Sequence, residues 1–461
     1  MRLVFDRGTL LLLEPPQSLD AAALPGVLWD PRVAAYRAPA WRHPAIVPVL
    51  REQHIDFTDE SSAREESAFP GLQGLRPPSL RPYQTGALIA WRSAGWRGVV
   101  ALPTGSGKTR VGLAALVKLK TATLVLVPTR VLLHQWVEEV GRLLPGAVGI
   151  YGDGRRELAP VMVSTFESAY RHMSRWGNRF ELLIVDEAHH FGCGSRDEIL
   201  EMSLASARLG LTATPPEPGA RADRLAELMG PTVFHLSVRD LAGRYLADFE
   251  RMALFLELSP RERQAYDTEY RIFSAAFRQF RRVAPESSWA DFMATASRTD
   301  EGLRALAAWR ASRRITGFTR AKAAALRALL DRHREQRTLV FTPDNETAYR
   351  IAREHLIMPI TCDIGRKERD RVLEKFKQGR LRSLVSSRVL NEGLDVPDAE
   401  VGILVGGTQG TREYVQRIGR VLRPTAGKRA LVYELITRAS TEERRARQRE
   451  MDLDLPNRTT S

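Results

Sequence analysis

Apolar residues in this chain gather into short runs separated by helix-length stretches, and they do so twice. The first series occupies residues 99–100, 122–127, 161–164, 182–185 and 208–211; the second occupies 338–341, 384–387, 401–405 and 430–433. Strand-length runs alternating with helical stretches predict parallel sheets covered by helices on both faces, an α/β fold. Ahead of the first series, residues 3–5, 9–13, 26–29 and 34–36 form β-like runs cut by Pro and Gly turns. That pattern predicts a small β-rich domain.

Residues from about 243 to 315 break the alternation. Tyr266, Tyr270, Phe273, Phe277 and Phe280 recur at spacings of four, three, four and three, so the five rings share one helical face. Arg271, Arg278 and Arg282 follow a second face. The rings read as the packing of a helical hairpin. The arginines, with Arg310, Arg313, Arg314 and Arg320 beyond them, read as contacts to a nucleic-acid backbone. Residues 59–78 turn charged and then rich in Pro and Gly, which reads as a linker. The expected organisation is a β-rich nucleic-acid-binding domain at 1–62 and an α/β domain at 63–242. A second α/β domain follows at 243–445, with a helical insertion at about 258–312, and a charged tail closes the chain at 446–461.

Charge narrows the partner. In 461 residues, 69 Lys and Arg oppose 55 Asp and Glu, a formal +14 that points to a polyanion, nucleic acid first. The two cysteines, Cys193 and Cys362, cannot build a disulfide framework or a four-thiolate metal site, which suits a reducing compartment. No apolar run reaches the roughly 18 residues of a membrane span. Asp6 and Arg7 interrupt the opening hydrophobic stretch, unlike a signal peptide, and a cytoplasmic, nucleoid-associated protein is expected. Arg32, Tyr36, Arg37, Trp41, Arg42 and His43 mix basic and aromatic side chains. They form either a surface for single-stranded nucleic acid or an aromatic core rimmed by solvated cations.

The candidate chemistry sits at the ends of the predicted strands. Residues 101–109 read Ala-Leu-Pro-Thr-Gly-Ser-Gly-Lys-Thr, between an apolar run and a helical pattern. Gly105 and Gly107 let the loop through Thr104 and Ser106 turn tightly enough for its N–H groups to face a phosphate. Lys108 would then neutralise the β- and γ-phosphates of ATP, and the Thr109 hydroxyl would hold Mg²⁺. Asp186 and Glu187 follow the run 182–185. Asp186 can support Mg²⁺, while Glu187 can orient and deprotonate the attacking water. His189, His190 and Cys193 lack the further ligands of a zinc site. Thr212-Ala213-Thr214 offers two hydroxyls able to link the carboxylate pair to its surroundings. Upstream, Leu80-Arg81-Pro82-Tyr83-Gln84 places an amide where it could meet adenine.

The second series has no phosphate loop. It carries Asn391-Glu392-Gly393-Leu394-Asp395-Val396-Pro397 and then Gln416-Arg417-Ile418-Gly419-Arg420-Val421-Leu422-Arg423. Gln416, Gly419, Arg420 and Arg423 stand at offsets of three, four and seven, one face of a helix. Arginines so placed can act as fingers on the γ-phosphate, worth about 10³ to 10⁵ in rate.

Taken in order, these segments resemble motifs I, II, III, V and VI of the superfamily 2 helicases. Within that superfamily the chain is similar to XPB-type helicases, particularly the compact archaeal and bacterial ones. Asp6-Arg7-Gly8-Thr9 resembles the opening of their damage-recognition domain, and residues 258–312 resemble their thumb. The resemblance implies two RecA-like domains and 3′-to-5′ movement on single-stranded or forked DNA. It also implies a role in repair, ATP and Mg²⁺, and in small archaeal members a partner nuclease. By position, Lys108 and Thr109 would bind phosphate and Mg²⁺, and Asp186 and Glu187 would serve metal and water. Gln416, Arg420 and Arg423 would be catalytic, and Arg81 and Gln84 would contact the nucleotide. Gly393 and Asp395 would sit at the nucleotide cleft, and Pro128, Thr129, Arg130, Ser164, Thr165 and Thr342 along the nucleic-acid track. One departure stands out. The family carries Arg-Glu-Asp shortly after Thr-Ala-Thr, a motif tied to strand separation, whereas this chain reads Pro215-Pro216-Glu217-Pro218-Gly219 with Arg221 and Asp223 beyond. Double-strand translocation, or ATP-gated positioning of a nuclease, is therefore a rival expectation, and RNA unwinding is a third.

Overall fold

The computed structural model describes residues 1–63, 76–146, 148–194, 196–241, 248–387, 399–406, 429–453 and 458–459. They belong to two compact units, 1–237 and 238–461.

The first unit opens with a five-stranded sheet in the order Leu28–Asp30, Ala35–Pro39, Thr9–Leu13, Arg2–Asp6, Thr58–Glu60. Leu3, Leu10, Leu12, Ile46 and Leu50 are fully buried beneath it. Two features depart from the sequence expectation. The stretch read as a linker from residue 59 starts as an edge strand, because Arg2–Val4 pair in parallel with Thr58–Glu60. A helix, His43–Glu52, also forms where Pro44 and Pro48 hid it; Pro44 lies in the first turn, where its missing N–H costs nothing. The mixed basic and aromatic cluster resolves largely into internal contacts. Trp41 is buried, Arg32 and Arg37 pair with Asp30, and His43 bonds Asp59 at 2.7 Å.

The rest of this unit is an eight-stranded sheet, ordered Thr232–His235, Arg97–Ala101, Ala207–Thr212, Leu182–Asp186, Thr123–Val127, Val161–Thr165, Val148–Gly152, Arg155–Arg156. All neighbours run parallel except the last pair. Every residue of the strands Thr123–Val127, Val161–Thr165, Leu182–Asp186 and Ala207–Thr212 is buried, as a sheet covered on both faces requires. The register aligns Ala101 with Thr212, Leu211 with Asp186, and Val127 with Thr165. One edge therefore gathers the segments that carry the candidate chemistry. The β-rich part is packed onto this α/β part. Leu204 enters its core, Trp41 enters the α/β core, and Arg42 pairs with Glu227 at 2.8 Å.

The second unit holds a seven-stranded parallel sheet ordered Met358–Ile360, Ser383–Ser386, Thr338–Phe341, Val401–Leu404, Arg429–Thr437, Asp248–Leu256, Arg458–Thr459. Asp248–Leu256 is a strand that the interrupted pattern did not reveal. After it come the helices Pro260–Val283, Trp289–Ala296 and Asp300–Gly317. Ser259 and Glu262 cap the first of these reciprocally. Phe273, Phe277 and Phe280 do pack across the hairpin, against Phe292 and Leu306. The expected charged tail from 446 is instead helical over Thr441–Leu453, with Ala446 and Arg449 buried. Arg449 joins Arg251 on Glu434, and Lys322 joins Glu442, so these two charges of the helix are internal ones.

Candidate active site

The phosphate loop leaves the strand Arg97–Ala101 and enters the helix Lys108–Leu119. Gly105 and Gly107 both adopt positive φ, +83° and +80°, the conformation that glycine takes without strain. The loop is braced from behind. Tyr83 donates its hydroxyl to Ser106 O at 2.6 Å, and Gln84 Nε2 donates to Ser106 O at 2.7 Å and to Gly107 O at 3.3 Å. Gln84 Oε1 accepts from Arg81 N at 2.8 Å. The amide expected to meet adenine is thus buried, and its bonds hold the loop's carbonyls. A Cβ on Gly107 would stand 2.6 Å from Gln84 Nε2, so the brace and the glycine require each other. Lys108 Nζ donates to Leu102 O at 3.2 Å, Thr109 is half-buried in the first helical turn, and Thr104 lies in the loop.

Asp186 ends its strand in the core. Its Oδ2 accepts from Trp136 Nε1 at 2.9 Å and its Oδ1 from the Glu187 N–H at 3.0 Å. Gly112 makes room for this, because a Cβ there would come within 2.6 Å of the Trp136 ring. Burial, and then the adjacent Glu187 carboxylate, push Asp186 above the usual carboxylate range, while Lys108 opposes them. Glu187 is held at φ +53°, ψ +48°, a left-handed conformation costly for a side chain of this size. Its Oε2 lies 3.4 Å from His189 Nδ1, buried and without a hydrogen-bond partner among the described residues. His189 Nδ1 meets Thr212 Oγ1 at 2.8 Å, and Thr212 Oγ1 donates to Thr214 O at 2.9 Å. The Thr-Ala-Thr segment is therefore wired to the Asp-Glu-Ala-His segment. Arg221 completes the brace by donating to the carbonyls of His189 and, at 3.4 Å, Phe191.

These residues fit a nucleoside triphosphate and a divalent cation. A buried Asp186 beside the half-buried Glu187, offset by one lysine, is short of positive charge, and Glu187 Oε2, which has no hydrogen bond among the described residues, can take a water. No group of three or more His, Cys, Asp or Glu residues suited to a metal occurs among the described residues. Sequence reasoning missed Trp136 and the bracing roles of Tyr83 and Arg221. Trp136 could have been flagged, since a tryptophan on a predicted core helix needs a partner for its N–H. Arg221 was noted only beside the absent Arg-Glu-Asp, and nothing local directs it at the carbonyls of His189 and Phe191.

The predicted nucleic-acid track divides. Pro128, Thr129 and Arg130 leave one strand and Ser164 and Thr165 end the next, side by side at the same sheet edge. Thr129 and Thr165 cap the helices Arg130–Leu143 and Phe166–Trp176. Ser164 donates to Tyr151 O at 2.8 Å, and Arg130 pairs with Asp153 at 3.1 Å with most of its side chain exposed. Thr342 is fully buried and donates to Asp344 O at 3.0 Å. Arg271, Arg278 and Arg282 are exposed, and none makes an ion pair among the described residues. Gly393, Asp395, Gln416, Arg420 and Arg423 lie outside the described residues.

Three family models match this chain. Residues 3–60 match the Xeroderma pigmentosum group B helicase damage recognition domain, 78–217 the type III restriction enzyme res subunit, and 321–425 the helicase conserved C-terminal domain. The chain is 34% identical to "DNA 3'-5' translocase XPB2" of Sulfurisphaera tokodaii, over 94% of this chain and 97% of the relative. It is 29% identical to "DNA 3'-5' helicase XPB" of Mycobacterium tuberculosis, over 79% of this chain and 61% of that longer protein. The crystal structure of the Pyrococcus furiosus Hef helicase domain shares the fold at a TM-score of 0.52 and 19% identity, covering 80% of this chain and 98% of that one. No helix among the described residues is long and apolar enough to cross a membrane. With relatedness running nearly end to end through the β-rich opening and both RecA-like sheets, the chain belongs to the XPB-type helicases of superfamily 2.

Proposed function

We propose that this protein is an ATP-dependent DNA motor of the XPB type, moving 3′ to 5′ and acting in DNA repair. The observation that carries this reading is the carboxylate pair at the mouth of the phosphate loop, Asp186 buried and Glu187 half-buried, with Glu187 Oε2 buried and lacking a hydrogen bond among the described residues. Lys108 and the loop's backbone N–H groups would hold the triphosphate, and Thr109 and Asp186 would hold Mg²⁺. The cation, when bound, neutralises phosphate charge. Glu187 then orients the attacking water and takes its proton at the free carboxylate oxygen. His189, joined to Thr212, supports that carboxylate from the neighbouring strand. Arg420 and Arg423 are proposed to stabilise the charge that develops on the γ-phosphate.

A second reading, translocation along duplex DNA without robust strand separation, is favoured by one observation. Arg221, which stands nearest to the missing Arg-Glu-Asp, donates to the carbonyl of His189, the last residue of the Asp-Glu-Ala-His segment, and to that of Phe191 just beyond it. The Sulfurisphaera relative is itself named a translocase. In either reading cutting would need a partner nuclease. The test measures ATP turnover alone and with single-stranded DNA, duplex, a 3′-tailed fork and RNA, alongside strand displacement on the fork. Stimulation with displacement supports the helicase. Stimulation by duplex without displacement supports the translocase, and stimulation by RNA alone overturns both.

A further inference from the structure

The helical hairpin of the second unit does not close over all of its aromatic residues. Tyr270, Phe273 and Phe277 from the first helix, Trp289 from the second and Trp309 from the third line a cavity of about 380 Å³. That volume falls within the roughly 300–1,000 Å³ typical of small-ligand sites. Phe292 behind them is buried, yet none of these five rings is, and Trp289 leaves 40% of its surface exposed. Their planes are offset rather than collapsed together. Phe273 and Phe277 stack at 5.7 Å, and Trp289 stands 5.0 Å from Trp309 and 5.8 Å from Phe277.

The remaining wall is cationic. Arg313 lies over the Trp309 ring at 5.0 Å, and Arg445 reaches the cavity from the helix Thr441–Leu453. Beside it, Arg444 donates to the Tyr270 hydroxyl at 2.5 Å. No carboxylate lines the cavity, and Arg445 has no hydrogen bond or ion pair among the described residues. An apolar protein anchor would use the rings and leave the Arg445 guanidinium, at the cavity wall, without a partner. A nucleotide uses both, a π-face for the rings and a phosphate for the arginines.

We propose that this cavity takes one nucleotide of a single strand, with its base among the rings of Trp289, Trp309 and Phe277 and its phosphate on Arg445. The proposal rests on the reading of the chain as a nucleic-acid motor and adds to it a stacking site for an unpaired base. Recognition would be indifferent to sequence. The Ser312 hydroxyl in the wall is spent on Trp309 O at 2.9 Å, and ring stacking accepts every base.

The test uses the full chain and fluorescence anisotropy with a labelled oligothymidylate, the same strand carrying a single abasic site at successive positions, and unlabelled thymidine monophosphate as competitor. Trp289→Leu keeps apolar volume and removes the ring; it should weaken strand binding about 5- to 150-fold, the range for one lost base stack. Trp289→Phe should recover most of that loss, which a merely structural role would not demand. One abasic position should cost the wild type a similar factor and cost Trp289→Leu nothing more. The abasic scan of the wild type stands whether or not either variant folds, and a flat scan overturns the pocket. So does strand binding indifferent to the ring at 289, and competition by the mononucleotide at the strand's own affinity assigns the cavity to free nucleotides instead. A wild-type chain that binds no strand overturns the pocket and the motor reading together.

Discussion

Buried charge is treated in opposite ways in the two units. At the edge of the first sheet, Asp186 and Glu187 lie side by side with Lys108 and the Trp136 N–H set against them, and one Glu187 oxygen has no hydrogen bond among the described residues. In the second unit Glu434 is as deeply buried, but Arg251 and Arg449 close on it from both sides. Lys322, fully buried, is closed by Glu442 and the Val405 carbonyl at 2.7 Å each. Imbalance stores an affinity for something not yet bound, whereas balance only fixes the chain in place. That contrast separates site from scaffold without reference to any motif.

The contrast breaks first at Glu187. Glu187→Gln preserves shape and removes the base, so ATP should still bind while turnover falls by about 10² to 10⁴. Near-normal turnover would place water activation elsewhere. Glu434→Gln is the matching change in the balanced network. It neutralises the buried carboxylate on which Arg251 and Arg449 converge and should cost about 3–5 kcal/mol, read as an early shift in the urea unfolding of the second unit. An unchanged midpoint would mean that water reaches the network and that the balance is not structural. Smaller again is the effect expected on the hairpin. Replacing Arg271, Arg278 and Arg282 together with Ala should lower the salt slope of DNA binding by up to about three units, and an unchanged slope would make them solvated cations.

How far the chain could be read in advance follows the same division. The meeting of Lys108, Asp186 and Glu187 at one sheet edge was legible because phosphate chemistry demands particular residue types at fixed offsets behind apolar strands. The two sheets were legible because their strands are apolar on both faces. What stayed hidden depends on partners distant in sequence. Arg251 and Glu434 are 183 residues apart, and Lys322 and Glu442 are 120 apart. Nothing in the local pattern distinguishes them from surface charges, and residues 446–453 accordingly looked like a charged tail. Gln84 shows a finer limit. Its position was legible, but its amide is directed to Ser106 and Gly107 by the backbone geometry of a loop that the sequence does not specify. The helix His43–Glu52 was hidden by its own prolines.

Arg221 tests the division most closely, because it belongs to neither class. It carries no catalytic group, yet its guanidinium holds the carbonyls of His189 and Phe191, beside the strained Glu187. Two turns on in the same helix, Ala220–Met229, Glu227 pairs with Arg42 of the β-rich part and Arg224 lies over the Trp41 ring at 5.9 Å. One helix thus touches both the nucleotide-site brace and the N-terminal sheet. Removing the brace loosens the carboxylate without deleting it, and the freed carbonyls can turn to water. Arg221→Ala should therefore lower kcat about tenfold, near 1.4 kcal/mol of barrier, with KM for ATP within about twofold of the wild type. Equal losses in kcat and kcat/KM identify support given in the transition state alone, and Arg221→Lys, which keeps one donor, should recover part of it. A lower melting temperature with kcat unchanged would place Arg221 with Arg251 and Lys322 among the residues that build the scaffold.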